Sequence, residues 1–302
     1  MNARPSVHEL HTLTVRRLQV DLSQGFSRHW HGGDAFKTAF FNALSLSFPA
    51  GEQFFIESVR RGIQRLPDTP ENALLREVVR GFIGQEATHR QLHGLFNAQL
   101  QQQGLVNIWA GRIEKRAAKA RETLFSDPEK GHLRELAVTA AYEHLTAIFG
   151  HLALSHVNEE GDFLVGVEEP LQTLWRWHAA EEIEHRSVAY ELYTRLGGTN
   201  AMRKLLFVFV MRDFTFDMGR QLLSNLYRDR TLHHPRTWWQ GFRFLLGRHG
   251  LLWLTLGPLL SYCRSQFHPE QHGEPQRARA WLESHAAQWR AVGAGVDSSA
   301  PV

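Results

Sequence analysis

The sequence predicts an all-α protein built on a four-helix bundle, with additional helices towards its C-terminal end. Three observations predict it. First, apolar residues recur at three- and four-residue steps, as in Phe36, Phe40, Phe41, Leu44 and Phe48, while runs with the two-residue alternation of a strand are few. Second, Glu-x-x-His occurs twice, at Glu86–His89 and at Glu182–His185, each within a long helical pattern. Third, another glutamate in apolar surroundings precedes each motif by about one helical hairpin: Glu52 by 34 residues and Glu143 by 39.

Taken in order, residues 1–33 read as an irregular lead-in that ends in the turn-like His31-Gly32-Gly33-Asp34. Helical periodicity begins at Asp34. Pro49 is expected to kink or break it, because its ring disfavours helical geometry at Phe48. The period resumes at Gly51 and runs to about Ile63. Thr69 is placed to cap the next helix, with Pro70 in its first turn. That helix is expected over about 71–103, closed by Gly104. A linking segment covers roughly 107–125 and ends at Ser126-Asp127-Pro128. Further helices follow over about 129–157 and, after the polar turn 158–162, over about 168–196, closed by Gly197-Gly198. Residues 34–198 thus form the expected bundle. Two strongly apolar helices over 200–228 and 235–267 make up the segment 199–268. Residues 269–302 read as a polar, flexible tail.

Composition excludes several function classes. The 34 Lys and Arg nearly balance 31 Asp and Glu, and no basic block is present, which argues against nucleic-acid binding. A single cysteine, Cys263, rules out an intramolecular disulfide framework and any thiolate-rich metal site; it reads as a small buried apolar residue. The start, MNARPSVHEL, has no apolar signal core, and no uninterrupted apolar run is long enough to span a bilayer, so a cytoplasmic protein is expected. Eighteen histidines carry information only through their positions, since His8, His11, His272 and His285 fall in tail-like segments.

Spacing turns the remaining histidines into a candidate site. Residues three apart on a helix share a face, so one Glu-x-x-His presents an oxygen and a nitrogen donor to one point. One such motif arises easily by chance. Two of them on separate helices, each preceded by a further glutamate, give the order Glu, Glu-x-x-His, Glu, Glu-x-x-His, which is the ligand arrangement of ferritin-like di-iron and di-manganese carboxylate proteins. His178 lies four residues before Glu182 and seven before His185, on the same face. The candidate metal ligands are therefore Glu52, Glu86, His89, Glu143, His178, Glu182 and His185. His178 has the alternative of packing behind the ligands. Glu181 stands four before His185 and competes with Glu182 for its place; Glu182 is preferred because it repeats the Glu86–His89 spacing. Glu181, where it is not the ligand, and Glu184 are expected on the surface or behind the ligands, as is His93. Carboxylates and imidazoles without thiolate suit iron, with manganese as the alternative. Four buried glutamate charges without cations would be very costly.

Two resemblances follow from these motifs. The seven-residue ligand pattern, including His178, resembles that of the ferritin-like di-iron N-oxygenases, which oxidise arylamines to nitro compounds. A longer stretch, roughly 10–270, resembles the family labelled "predicted metal-dependent hydrolase". It does so through Phe48-Pro49-Ala50-Gly51-Glu52 with Phe54-Phe55, Glu86-Ala87-Thr88-His89, Tyr142-Glu143-His144-Leu145-Thr146-Ala147, Trp177-His178-Ala179-Ala180-Glu181-Glu182-Ile183-Glu184-His185, and Phe267-His268-Pro269.

Three functions remain open on the sequence. The preferred one is an O₂-activating oxygenase or oxidase acting on a small organic substrate, with a separate protein as reductant because no flavin or nicotinamide motif stands out. The alternative is a two-metal hydrolase, in which the metals activate water. The third is a non-enzymatic iron-binding protein. The apolar helices over 199–268 are expected to pack on the bundle or form a homodimer interface. Their other readings are a lid over an apolar channel and an in-plane membrane contact, since Arg212, Arg243, Arg248 and Arg264 interrupt the apolar runs.

Overall fold

Asp34 opens the first long helix: its carboxylate accepts the Lys37 amide at 2.9 Å, and α1 then runs Ala35–Arg65. The computed structural model describes residues 11–155, 161–271 and 274–292. The protein is mostly helical. After α1 come α2 (Pro70–Gln102), α3 (Ala110–Glu122), α4 (Gly131–Leu154), α5 (Glu169–His185), α6 (Val188–Arg195), α7 (Asn200–Arg228), α8 (Pro235–Leu246), α9 (Leu251–Ser261) and α10 (Pro275–Ser284). Two short strands, β1 (Arg16–Leu18) and β2 (Trp289–Ala291), pair antiparallel with Arg16 opposite Ala291.

Helix α1 lies along α2, α4 lies along α5, and contacts between α1 and α4 and between α2 and α5 join the two pairs. Two apolar clusters fill the space between them. One contains Trp30, Phe41, Leu44, Phe96, Trp175 and Trp177. The other contains Phe55, Val59, Val78, Phe82, Leu136 and Leu192. On each of α1, α2 and α4 the candidate glutamates lie between a residue of one cluster and a residue of the other. The polar layer is thus sandwiched between two dry ones. No helix among the described residues is long and apolar enough to cross a membrane.

Four local expectations change. Pro49 does not break its helix: α1 continues through it. A proline leaves the carbonyl four residues earlier without its amide partner, and here Asn97 Nδ2 donates to the Ser45 carbonyl at 2.9 Å instead. Asn107 Nδ2 likewise donates to the Leu46 carbonyl at 2.7 Å. Thr69 makes no side-chain cap, although Pro70 opens α2 as expected. The helix expected over 168–196 is divided after His185, where the Arg186 guanidinium takes the Ile183 carbonyl and reaches Glu270. The helix expected over 235–267 is divided at Gly247–Gly250, and a Cβ at Gly247 would stand 2.3 Å from the Arg243 carbonyl oxygen.

The ends of the chain are more structured than their composition suggests. The lead-in carries β1. The segment read as a polar, flexible tail carries α10, which packs on α5, and β2. Residues 1–10 and 293–302, most of the polar turn at 158–162, and the expected helix end at 156–157 lie outside the described residues. Helix α8 crosses α1 closely where Gly241 meets the Phe36 ring; a Cβ there would stand 2.5 Å from it.

Candidate metal centre

All seven sequence-predicted residues meet in one buried cluster. Glu52 comes from α1, Glu86 and His89 from α2, Glu143 from α4, and His178, Glu182 and His185 from α5. Each is buried. Glu182 is central. Its Oε1 lies 2.7 Å from His178 Nε2, 3.5 Å from His89 Nδ1 and 3.8 Å from His185 Nε2. On one side, His178 Nε2 is 3.9 Å from Glu52 Oε1. On the other, His185 Nε2 is 3.5 Å from Glu86 Oε1, and His185 Nδ1 is 2.9 Å from Glu143 Oε2. Two overlapping donor groups result. Glu86, His89, Glu182 and His185 each offer an atom within 4.8 Å of the others, as do Glu52, His89 and His178.

Six of the seven residues, all but His178, keep donor atoms that the protein itself does not satisfy. Both oxygens of Glu52 and of Glu86, one each of Glu143 and Glu182, His89 Nδ1 and His185 Nε2 are buried without a hydrogen-bond partner. Buried polar atoms are normally paired, so such a convergence of orphaned oxygen and nitrogen donors fits the place of cations. The donor set, carboxylate and imidazole without thiolate, suits a hard or intermediate divalent metal.

Two hydrogen-bond chains orient the imidazoles. His89 Nε2 meets Glu181 Oε2 at 2.9 Å, and Arg16 Nη1 donates to Glu181 Oε1 at 3.0 Å. With the proton on Nε2, the lone pair of His89 Nδ1 faces the cluster. His178 is held by a second chain. Its Nδ1 lies 2.6 Å from His93 Nε2, His93 Nδ1 lies 2.8 Å from Ser45 Oγ, and Ser45 Oγ donates to Asn97 Oδ1 at 2.8 Å. One proton assignment satisfies every link: His178 Nδ1–H donates to His93, His93 Nδ1–H to Ser45, and Ser45 O–H to Asn97. That assignment, inferred from the network, leaves a lone pair on His178 Nε2, which faces Glu182 Oε1 at 2.7 Å. Two acceptors so close suit a cation, and without one His178 Nε2 carries the proton that it donates to Glu182. Partners of this kind fix the tautomer and ring orientation of metal-binding histidines.

The electrostatics divide the cluster. Burial pushes Glu52 and Glu86 well above the usual carboxylate range, and neighbouring glutamates add to it. Burial also lifts Glu143 to about 7, against the pull of His185. Glu182 goes the other way. Burial alone would raise it, but His185, His178 and His89 together hold it well below its ordinary value. Burial opposes the charging of His89, yet its contacts with Glu181 and Glu182 carry it up to about 10. His178 is pushed down to about 4 by burial and by His89. Without cations, then, protons compensate part of the acid charge.

A cavity of ≈ 480 Å³ opens onto one face of this cluster, with Glu52, His178 and Glu182 in its wall. The rest of its lining is mostly apolar, including Phe48, Phe55, Leu145, Phe149 and Trp175. Helix α3, expected only as a link, supplies Ile113, Arg116 and Ala117 to the same wall.

Some functional neighbours were not visible in the sequence. Glu181 is fully buried against His89, behind the ligands, which was one of the places expected for it. Its four-residue spacing from His185 drew attention to it, but as a rival of Glu182. Arg16 carries no sequence signal: strand pairing places it, and the Trp289 ring stacks on its guanidinium at 5.0 Å. His93 sits one turn beyond His89, so its place behind the ligands was one of the two expected for it. Glu184 pairs with Arg16 at 2.7 Å and accepts from Gln85 Nε2 at 3.1 Å, outside the cluster.

Comparison with known proteins gives one match. The profile of a family described as "Predicted metal-dependent hydrolase" matches residues 14–273. No curated protein and no solved structure matches the chain.

Proposed function

The chain belongs to the family of predicted metal-dependent hydrolases, and from that premise we propose that it is a two-metal hydrolase. Its ligands are Glu52, Glu86, His89, Glu143, His178, Glu182 and His185. The single observation that carries the reading is the convergence of orphaned carboxylate and imidazole donors in a dry core. The order of donors on α1, α2, α4 and α5 supports a ferritin-like four-helix bundle, over 34–198, as the frame. The same donor set supports iron as the metal, with manganese as the alternative.

Two divalent ions there would lower the pKa of a bound water and offset the negative charge that develops as it attacks. The protein's own residues do the rest. Glu52, His178 and Glu182 form the face that the cavity presents to a substrate. His93 and Ser45 hold His178 with its Nε2 lone pair inward. Glu181 keeps the proton of His89 on Nε2. An apolar substrate filling the mostly apolar lining would displace water from beside the cluster, which would strengthen the charge interactions there.

A second reading, oxidation of an apolar organic molecule with O₂, rests on a different observation. The lining is mostly apolar, which suits an apolar molecule, although Arg116, Tyr142 and Arg212 also stand in the wall. The two readings separate in one set of measurements. Protein purified with iron or manganese available is expected to hold two metal ions per chain. Under anaerobic conditions it is expected to cleave apolar esters or amides, and Glu86→Ala is expected to abolish that cleavage. O₂ uptake on a substrate panel, with no anaerobic cleavage, would replace hydrolysis by oxidation. One metal ion per chain, or none, would remove the two-metal site from both readings.

A further inference from the structure

Among the described residues, α8 and α9 carry a large exposed apolar surface, as α7 also does through Leu205, Val208 and Phe216. On α8, Trp238, Phe242 and Leu246 form a row at four-residue steps, with Trp239 beside it; all four are exposed. On α9, Leu252, Leu256 and Leu260 form a matching row, with Trp253 beside it. Trp239, Trp253 and Leu260 are each about 60% exposed (60%, 60% and 61%). Exposed apolar patches of this extent mark interaction sites. The two helices pack on each other, and Trp253 Nε1 donates to the Leu246 carbonyl at 3.1 Å, which brings the rows together at the turn. Trp238 Nε1 donates to the Leu232 carbonyl at 2.7 Å. Both indoles therefore satisfy their N–H groups internally and offer apolar rings outward.

The charge around these rows has one sign. Between Arg230 and Pro269 the chain contains no aspartate or glutamate, while Arg230, Arg236, Arg243, Arg248 and Arg264 are all exposed. Apolar rows flanked by arginines and carrying tryptophans are the signature of helices that lie in the plane of a membrane interface. The alternative of spanning fails on length. Twelve residues of α8 and eleven of α9 reach only about 18 and 16 Å at 1.5 Å per residue, against a hydrocarbon core of about 30 Å.

We propose that the α8–α9 hairpin docks the protein onto the surface of an anionic lipid bilayer, with its tryptophans and leucines in the interface and its arginines among the headgroups. Leu251, the first residue of α9, lines the cavity that reaches Glu52, His178 and Glu182. Docking thus sets the cavity beside the bilayer, where an apolar molecule dissolved in lipid enters without crossing water. The docking surface stands whether the centre hydrolyses or oxidises.

Co-sedimentation of the full chain with phosphatidylcholine vesicles, with and without phosphatidylglycerol, tests it. The protein is expected to pellet with the anionic vesicles and to be released as salt is raised. The triple variant Trp239→Ser, Trp253→Ser, Leu256→Ser is expected to stay in the supernatant. The double charge reversal Arg243→Glu, Arg248→Glu, which leaves the apolar rows intact, is expected to lose binding to anionic vesicles. Circular dichroism and metal content matching the parent show that both variants are folded. Full recovery of folded parent protein in the supernatant would overturn the proposal. So would a dimer in solution that the triple variant dissociates while the parent ignores vesicles, because the face would then be covered by a second copy of the chain.

Discussion

At the scale of single residues, the cluster is decided by which nitrogen of each histidine is already committed. His89 gives Nε2 to Glu181, and His178 gives Nδ1 to His93. Their other nitrogens are left for the centre, so the orientation of each donor depends on a residue that is not itself a donor. Glu181→Gln keeps one acceptor oxygen, which can serve His89 or Arg16 but not both, and removes the charge that holds the proton on Nε2. It is expected to weaken metal binding by about 10- to 100-fold, as loss of such partners does elsewhere, measured by competition with a chelating indicator. Unchanged affinity would show that Glu181 matters only for packing. A pH effect belongs at this scale too. Without cations, burial favours the protonated forms of Glu52 and Glu86, and protons sit on Glu143 below about 7 and on His89 below about 10. Metal must displace them. Loading is therefore expected to acidify a weakly buffered solution, and affinity is expected to fall as pH drops below about 10, through His89, and more steeply below about 7, through Glu143. Uptake without proton release would contradict this protonation pattern.

At the scale of elements, the donors are presented by helices that depend on unusual local repairs. Helix α1 carries Glu52 one turn after Pro49, and it stays continuous because Asn97 takes up the Ser45 carbonyl. The same Asn97 accepts from Ser45 Oγ and so ends the chain that orients His178. One side chain thus serves both the continuity of α1 and the direction of a donor on α5. Asn97→Leu leaves the Ser45 carbonyl unpaired. It is expected to destabilise the fold by about 1–3 kcal/mol, the cost of a buried polar group without a partner, read from denaturant unfolding. A loss below about 0.5 kcal/mol would mean that the Pro49 turn needs no such repair. Helix α5 ends directly after its last donor, where Arg186 draws the chain towards Glu270. The α5–α6 break therefore anchors the donor helix to the C-terminal segment.

At the scale of the whole molecule, the acid layer and the two apolar clusters pull in opposite directions. The clusters stabilise the fold by burial. The layer between them buries four glutamates that are costly to keep charged, a cost that falls when cations occupy the site. Ligands that bind the folded state alone raise its stability by mass action. Removing metal with a chelator is expected to lower Tm, and adding iron or manganese is expected to raise it with concentration. A Tm that does not depend on metal would mean that the layer is stable without cations. The chain ends take part in this frame. Strand pairing of β1 with β2 sets Arg16 against Glu181, so a segment far from the donors in sequence reaches the centre through one intermediate residue.

Much of this was present in the sequence. The three- and four-residue periodicity determined that the chain is helical, because that spacing is the only way each segment can turn one apolar face inward. The paired Glu-x-x-His motifs and the hairpin-length offsets of Glu52 and Glu143 determined which seven residues meet, because a helix fixes the direction of side chains three and four apart. Only the tertiary structure decided what surrounds them. Glu181 differs from Glu182 by about a quarter turn, and one helix cannot say which neighbour that quarter turn faces. Arg16, Ser45 and Asn97 act across long sequence separations that no local spacing encodes. For α8 and α9 the sequence left packing on the bundle, a homodimer interface, a lid and an in-plane membrane contact all open, since apolar periodicity records that a face is apolar and not what covers it. That last property is set by which faces remain unpartnered once the chain has closed around its acid layer.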